Sequence, residues 1–200
     1  MGLTGGVASG KSTVAHMLEA MGATWISADE IVHALLAPGT ETSSQVAREF
    51  GSEVLSPSGG VDRGKLGTIV FSDVEKRRRL EAILHPIVMK EISSSIERFR
   101  DCGSGVLVVE VPLLVEIGAA RMFDKILVVS AEQESQISRL HKRCNLNRDE
   151  AELRLKAQLP MKDKMQFADW VISTEGTLAD TRTRVERLWC DIQECLALGE

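Results

Sequence analysis

The sequence predicts an α/β fold: a parallel five-stranded sheet flanked by helices, interrupted by a helical insertion and later by a second helical excursion. Three observations lead there. A glycine-rich phosphate loop opens the chain, and short apolar runs alternate with helical patterns. About 75 residues of helical periodicity then separate the second run from the third, far more than one crossover helix needs.

The first apolar run, Leu3 and its neighbours, leads into Gly5-Gly6-Val7-Ala8-Ser9-Gly10-Lys11-Ser12, which fits G-x-x-x-x-G-K-[ST]. Glycine reaches backbone angles closed to other residues, so successive N–H groups can turn inward and form an anion-binding concavity. Gly6, Ala8, Ser9, Gly10, Lys11, Ser12 and Thr13 are therefore expected to hold the phosphates of a nucleoside triphosphate, with Lys11 on the β and γ groups and the Ser12 hydroxyl on Mg²⁺. From Thr13 to Met21 the apolar residues Val14, Met17, Leu18 and Met21 have helical spacing, which aims a positive helix end at the same anion.

Thr24 to Ser27 reads as the second strand. Helical patterns then cover Glu30 to Leu36, Ser43 to Phe50, Arg63 to Phe71 and Asp73 to about Arg100. Within the last of these a kink or break is expected near His85-Pro86, because proline removes a backbone donor. Val106 to Val111, Lys125 to Val129 and Trp170 to Ser173 read as the remaining strands, and Gln133 to Phe167 as the second helical excursion. Ser72 with Glu75, Ser130 with Gln133, and Asn147 with Glu150 have capping-box spacing. Parallel strands end on one edge, where open α/β sheets bind ligands, so both excursions are expected to close over the phosphate loop.

Composition narrows the partners. A net charge of −5 argues against a general nucleic-acid binder, whose phosphate contacts need a basic surface. Between Arg139 and Lys164, however, eight basic side chains stand against four acidic ones, which suits a small polyanion. Cys102, Cys144, Cys190 and Cys195 show neither Cys-x-x-Cys pairing nor zinc spacing, so reduced thiols are expected. The phosphate loop leaves no room for a secretory leader, and no apolar run approaches the roughly 18 residues of a membrane span. A cytoplasmic protein with no membrane partner is expected, as a monomer or weak homo-oligomer.

Several side chains could carry chemistry. Asp29 follows the second strand and should emerge on the phosphate-loop edge; it could orient an acceptor hydroxyl and take its proton, or it could merely cap the helix that follows. Glu110 ends the third strand, where phosphate-loop proteins carry an acidic Mg²⁺ partner, and Glu116 follows close behind; either could equally be a solvated strand-end carboxylate. Arg139 and Arg143, at i and i+4, share a helix face that could clamp an anion or simply face water. His85 could serve a ligand or be a hydrogen-bonded core histidine.

Taken together, these features resemble the dephospho-coenzyme A kinases, nearly end to end. The opening from Gly2 to Thr13, Ala28-Asp29-Glu30-Ile31, Asp62-Arg63 through Leu66, Val70-Phe71-Ser72 and Leu84-His85-Pro86 are similar to family segments, and Val111-Pro112-Leu113-Leu114-Val115-Glu116 resembles its most distinctive block. Arg139, Arg143, Arg154, Gln158 and Lys164 align with its lid, and Ala168-Asp169 and Val171-Ile172 with its last strand.

The resemblance implies a P-loop kinase-like architecture. Residues 1–30, 105–132 and 166–200 would form the nucleotide-binding core, 31–104 a helical coenzyme A-binding insertion, and 133–165 a lid. The implied reaction is ATP-dependent phosphorylation of the ribose 3′-hydroxyl of dephospho-coenzyme A. Asp29, Lys11, Arg139 and Arg143 would be catalytic, and Asp29, Arg63, His85, Pro112, Leu113, Glu116 and Arg154 would contact the acceptor.

The chain departs from the family pattern at three places. Ser27 replaces a frequent Asp, and Ser173-Thr174-Glu175-Gly176 replaces a frequent Asp-Asn-x-Gly that puts an Asn near the adenine. The first strand is about four residues short, which should forfeit ladder hydrogen bonds on both sides. Two other readings share the motif: a kinase of the same architecture with another acceptor, and a nucleotide-dependent switch, although no Asn-Lys-x-Asp guanine-reading segment occurs.

Overall fold

A computed structural model describes residues 1–102 and 105–198, without the side chains of Phe71 and Leu198. The expectations attached to the Phe71 side chain and to residues 103–104 and 199–200 lie outside the described residues. The chain divides into two compact units, Met1–Ile26 with Gly103–Glu200, and Ser27–Cys102.

The first unit is built on a parallel sheet of β1 (Gly2–Gly5), β2 (Thr24–Ser27), β3 (Leu107–Glu110), β4 (Ile126–Ser130) and β5 (Trp170–Ser173), in the order β2-β3-β1-β4-β5. β1 lies at the centre with all four residues buried. Its shortness costs less than the sequence suggests. Gly2 to Gly5 pair with Ile126 to Val129 on one side, and Gly2 and Leu3 with Val109 and Glu110 on the other. The chain's first amino group donates to the Leu107 carbonyl at 2.8 Å, and Val109 N–H donates to the Met1 carbonyl at 3.0 Å, so residue 1 extends the ladder beyond the strand.

Helices α1 (Lys11–Ala20) and α9 (Leu178–Leu198) join one face of this sheet. Leu3, Val14, Leu18, Val108, Leu127, Val129 and Val185 meet there in one buried cluster. The beginning of α1 is thereby fixed to the carboxyl end of β1, with the phosphate loop as the only connection. The second excursion comprises α6 (Gln133–Cys144), α7 (Arg148–Lys156) and α8 (Met161–Met165). α6 ends at Asn145 in the left-handed region, φ 52°, a conformation that Asn tolerates better than most residues. α7 starts with the expected reciprocal capping box between Asn147 and Glu150. Ile137, Leu140 and Ala151 form a small core against which Val7 and Ala8 of the phosphate loop pack.

The second unit contains α2 (Ala28–Leu35), α3 (Glu41–Phe50), α4 (Arg63–Phe71) and α5 (Val74–Asp101) around Leu36, Val46, Val54, Leu66, Val70 and Leu84. Each helix opens on a side-chain acceptor: Ser27, Thr40, Asp62 and Asp73.

Three local expectations are corrected. Asp73, rather than Ser72, caps α5, because its carboxylate accepts from both Glu75 and Lys76 N–H while the Ser72 hydroxyl turns back to α4. Ser130 belongs to β4, paired with Ser173, and so cannot cap α6, whose N-cap is Glu132. Of the kink or break expected at Pro86, the break does not occur, since α5 runs for 28 residues with a long helical segment on either side of the missing donor.

The junction of β1 and the phosphate loop leaves no room for a side chain. A Cβ at Gly5, where φ is 153°, would meet the Val129 carbonyl oxygen at 2.1 Å and the Ser9 hydroxyl at 2.9 Å. Gly5→Ala is therefore expected to cost at least about 2 kcal/mol of stability, from overpacking against backbone. Urea denaturation followed by circular dichroism measures this, and a cost within about 0.5 kcal/mol would contradict the crowding.

Candidate active site

From Gly5 to Ser9 the chain turns so that five consecutive carbonyls each receive a side-chain donor. Lys11 Nζ donates to the Gly5 and Gly6 carbonyls at 3.3 and 2.9 Å. Gln136 Nε2 donates to Val7 at 2.8 Å, an Arg139 guanidinium nitrogen to Ala8 at 3.2 Å, and the Thr174 hydroxyl to Ser9 at 2.7 Å. Ala8 holds φ 54° and Gly10 φ 92°, the left-handed angles that let the backbone reverse before α1. The loop thus gathers the Lys11 ammonium and the amino end of α1 at one place. That is the polarity an anion requires.

Lys11 is buried, whereas Ser12 and Thr13 are exposed at the helix start. The Ser12 hydroxyl donates to Glu110 Oε1 at 2.9 Å, and Glu110, at the end of β3, is only 4% exposed. A hydroxyl and a buried carboxylate are the hard oxygen donors that Mg²⁺ prefers, and the bond now joining them is one that a cation could replace. These residues fit the ion.

The acidic residue of the Pro112–Glu116 block has a different setting from the one expected. Glu116 Oε1 pairs with Lys164 Nζ at 2.6 Å and accepts from Leu159 N–H at 3.2 Å. Lys164 is fully buried and also donates to the Pro112 carbonyl at 3.3 Å, which Thr4 Oγ1 reaches from β1 at 3.2 Å. Here Glu116 joins the strand-end block to α8. Its second oxygen, buried, has no hydrogen-bond partner among the described residues. Pro112 and Leu113 are half-buried beside it.

Arg139 and Arg143 stand one turn apart on α6 in different settings. Arg139 is half-buried; besides Ala8 it donates to the Thr174 hydroxyl and carbonyl, both at 2.8 Å. Arg143 is exposed, and no hydrogen bond or ion pair engages it among the described residues. Arg154, on α7, is half-buried, and Gln158 accepts from Val7 N–H at 2.8 Å. Beside Arg139 an open cleft of about 210 Å³ is lined by Gly10, Thr13, Thr174, Gly176, Thr177 and Leu178.

Charge concentrates at the rim of this cleft. Glu175 is held below the usual carboxylate range by the Glu132 N–H first and the Ser135 hydroxyl second. Asp180 is lowered by the backbone N–H and then the hydroxyl of Thr177.

Asp29, Arg63 and His85 belong to the second unit. Asp29 does not cap its helix. The Ser27 hydroxyl accepts from Glu30 N–H at 3.4 Å, leaving the Asp29 carboxylate exposed on the first turn and without a hydrogen bond among the described residues. Arg63 is exposed at the first position of α4, and His85 is half-buried midway along α5. Sequence reasoning missed Gln136 and Thr174 as partners of the phosphate loop. Gln136 falls in no motif, and Thr174 stands in the segment that departs from the family pattern; both act by reaching backbone more than 100 residues away in sequence.

Among the described residues no helix is long and apolar enough to cross a membrane. The family model for dephospho-CoA kinase matches residues 1–180. A dephospho-CoA kinase of Symbiobacterium thermophilum is 47% identical over 94% of the chain and 79% of its own length. One of Geobacter metallireducens is 43% identical over 94% of both. The solved dephospho-CoA kinase of Campylobacter jejuni superposes with a TM-score of 0.66 at 27% identity, covering 96% of this chain and 95% of that one. A shikimate kinase from Acinetobacter baumannii, at TM-score 0.53 and 17% identity over 96% of this chain and 92% of its own, shares the fold alone. With the anchored phosphate loop and these matches along almost its whole length, the chain belongs to the dephospho-CoA kinase family.

Proposed function

We propose that the protein transfers the γ-phosphoryl group of ATP to the ribose 3′-hydroxyl of dephospho-coenzyme A, giving coenzyme A and ADP, the last step of coenzyme A synthesis. Family membership supports the kinase activity and its acceptor. The observation that carries the site reading is the phosphate loop, whose five carbonyls are each held by a side-chain donor while Lys11, Ser12 and Glu110 gather at one helix start.

In this reading the triphosphate lies in the concavity formed by Gly6, Ala8, Ser9, Gly10, Lys11, Ser12 and Thr13, and the nucleoside takes the cleft beside Arg139. Lys11 exchanges carbonyl partners for β and γ oxygens, which replaces neutral acceptors by charged ones. Ser12 and Glu110 would hold Mg²⁺, which would supply positive charge against that of the triphosphate.

Asp29, free of any capping duty, orients the 3′-hydroxyl and accepts its proton. Arg143 brings an uncommitted guanidinium to the charge developing on the transferred group, and Arg139 holds the loop that receives it. Arg63, His85, Pro112, Leu113 and Arg154 are assigned to the acceptor's side. Glu116 serves that side indirectly, by fixing the Pro112 block through Lys164. Excluding water matters because ATP would otherwise be hydrolysed.

Three outcomes test this. ADP release in a coupled assay should depend on dephospho-coenzyme A among a panel of nucleosides, nucleoside monophosphates and small alcohols; indifference to it would overturn the acceptor. Asp29→Asn should keep ATP affinity while kcat falls by at least about 100-fold, the lower range for loss of a general base. Near-normal turnover would remove Asp29 from that role. Glu110→Gln should raise the Mg²⁺ concentration for half-maximal rate several-fold, read by titrating Mg²⁺ at fixed ATP, and an unchanged requirement would exclude Glu110 as a ligand.

A further inference from the structure

Glu175 sits in the segment where this chain departs from its family, and nothing in the proposed chemistry uses it. Its surroundings are unusual for an exposed carboxylate. Helix α6 begins at Gln133 with Glu132 as N-cap, and the Glu132 side chain makes no cap bond to its own helix. The missing acceptor comes from the far end of β5. Glu175 Oε1 accepts from Glu132 N–H at 2.8 Å, and Oε2 accepts from the Ser135 hydroxyl at 2.8 Å. A carboxylate at a helix amino end also interacts favourably with the helix dipole.

Its neighbours turn this local cap into a wider brace. Arg184, on α9, donates to the Ser173 and Glu175 carbonyls at 2.9 and 2.7 Å, fixing the segment from the side opposite α6. Arg139, two turns into α6 from its start, donates to Thr174, and the Thr174 hydroxyl in turn reaches Ser9. α6 is thus tied to residues 174–175 at two points, its amino end through Glu175 and its middle through Arg139. The charged groups that act on Glu175 are Arg139 on α6 and Arg184 on α9.

We propose that Glu175 is a positioning residue for the donor nucleotide: as an external cap on α6, it holds the Arg139 guanidinium across the phosphate loop and against the cleft beside Gly10 and Thr13. This rests on reading that cleft as the nucleoside site. Without the cap, α6 can rotate or fray at its start, and Arg139 loses the register that places it on both Ala8 and Thr174. Donor affinity falls while the chemistry, once ATP is bound, proceeds with the same groups. Gln in place of Glu keeps one carbonyl acceptor but loses the charge and the second acceptor, so it preserves part of the cap.

The test compares wild type, Glu175→Ala, Glu175→Gln, Arg139→Ala and the Glu175→Ala/Arg139→Ala pair. Steady-state kinetics are measured with ATP and dephospho-coenzyme A, and the dissociation constant of ADP is measured by calorimetry with no acceptor present. Glu175→Ala should raise the KM for ATP and the Kd for ADP about five- to thirtyfold, the range expected from losing one helix cap. The kcat and the KM for the acceptor should stay within twofold, and Glu175→Gln should fall between wild type and Ala. The double variant should match Arg139→Ala alone, because both act through one guanidinium.

Unchanged nucleotide constants in folded Glu175→Ala, or independent multiplication of the two effects, would overturn the proposal. If the Ala variant fails to fold, Glu175→Gln decides on the same constants. Wild type that binds ADP but transfers nothing to dephospho-coenzyme A would sink the functional reading instead, and the ADP constants would still judge Glu175.

Discussion

Everything at this site depends on where the carbonyls of residues 5–9 point. A loop of small residues has no intrinsic reason to hold its N–H groups on one side, and an isolated peptide of this composition would sample many turns. Here each of the five carbonyls is held by a donor: Lys11 for two, and Gln136, Arg139 and Thr174 for one each. A single hydrogen bond of this kind is worth only about 0.5–1.5 kcal/mol net. Their joint effect is to remove the alternatives, so the anion meets a cavity already shaped for it. Phosphoryl transfer relies mainly on positioning and charge, which gives that preparation catalytic value.

Two of these donors, Gln136 and Arg139, come from the excursion that sequence reasoning treats as a lid. Its first helix is half anchor and half free. Gln136 and Arg139 on α6 are committed to the loop, and Val7 and Ala8 pack on the Ile137 and Leu140 side chains. One turn further, Arg143 is uncommitted among the described residues. A boundary between fixed root and free cation therefore falls inside a single helix. Beyond it the excursion returns to the loop, where Gln158 accepts from Val7 N–H, and the left-handed Asn145 at the α6–α7 junction is where the chain changes direction.

The pair of buried Lys164 and half-buried Glu116 shows how a strand-end block is fixed to a helix. A fully buried ammonium is costly unless it is paired and hydrogen-bonded, and Lys164 has both the carboxylate at 2.6 Å and the Pro112 carbonyl at 3.3 Å. Removing either partner would leave the other uncompensated. The pair thus makes the position of Pro112 and α8 a joint property.

Much of this protein was legible in its sequence. The five strands, the helices of the insertion and the phosphate loop follow from local rules: apolar period, capping residues and the glycine spacing that a phosphate turn needs. Where local rules compete, contacts chose. Asp29 and Ser27 are both acceptable caps, and only folding shows that Ser27 takes the N–H and leaves the carboxylate exposed. Pro86 would end many helices but lies inside an unbroken α5. Residue 1 mends the short central strand through two neighbours more than 100 residues away. The roles of Gln136, Thr174 and Glu175 were invisible for the same reason. Each acts by reaching backbone or a helix end that is distant in the chain, and a hydrogen bond between such groups leaves no periodicity or motif behind. Local sequence determined which elements form and which loop binds phosphate; tertiary structure decided which polar groups hold that loop and which remain for chemistry, because hydrogen-bond partners are allotted only once the chain is packed.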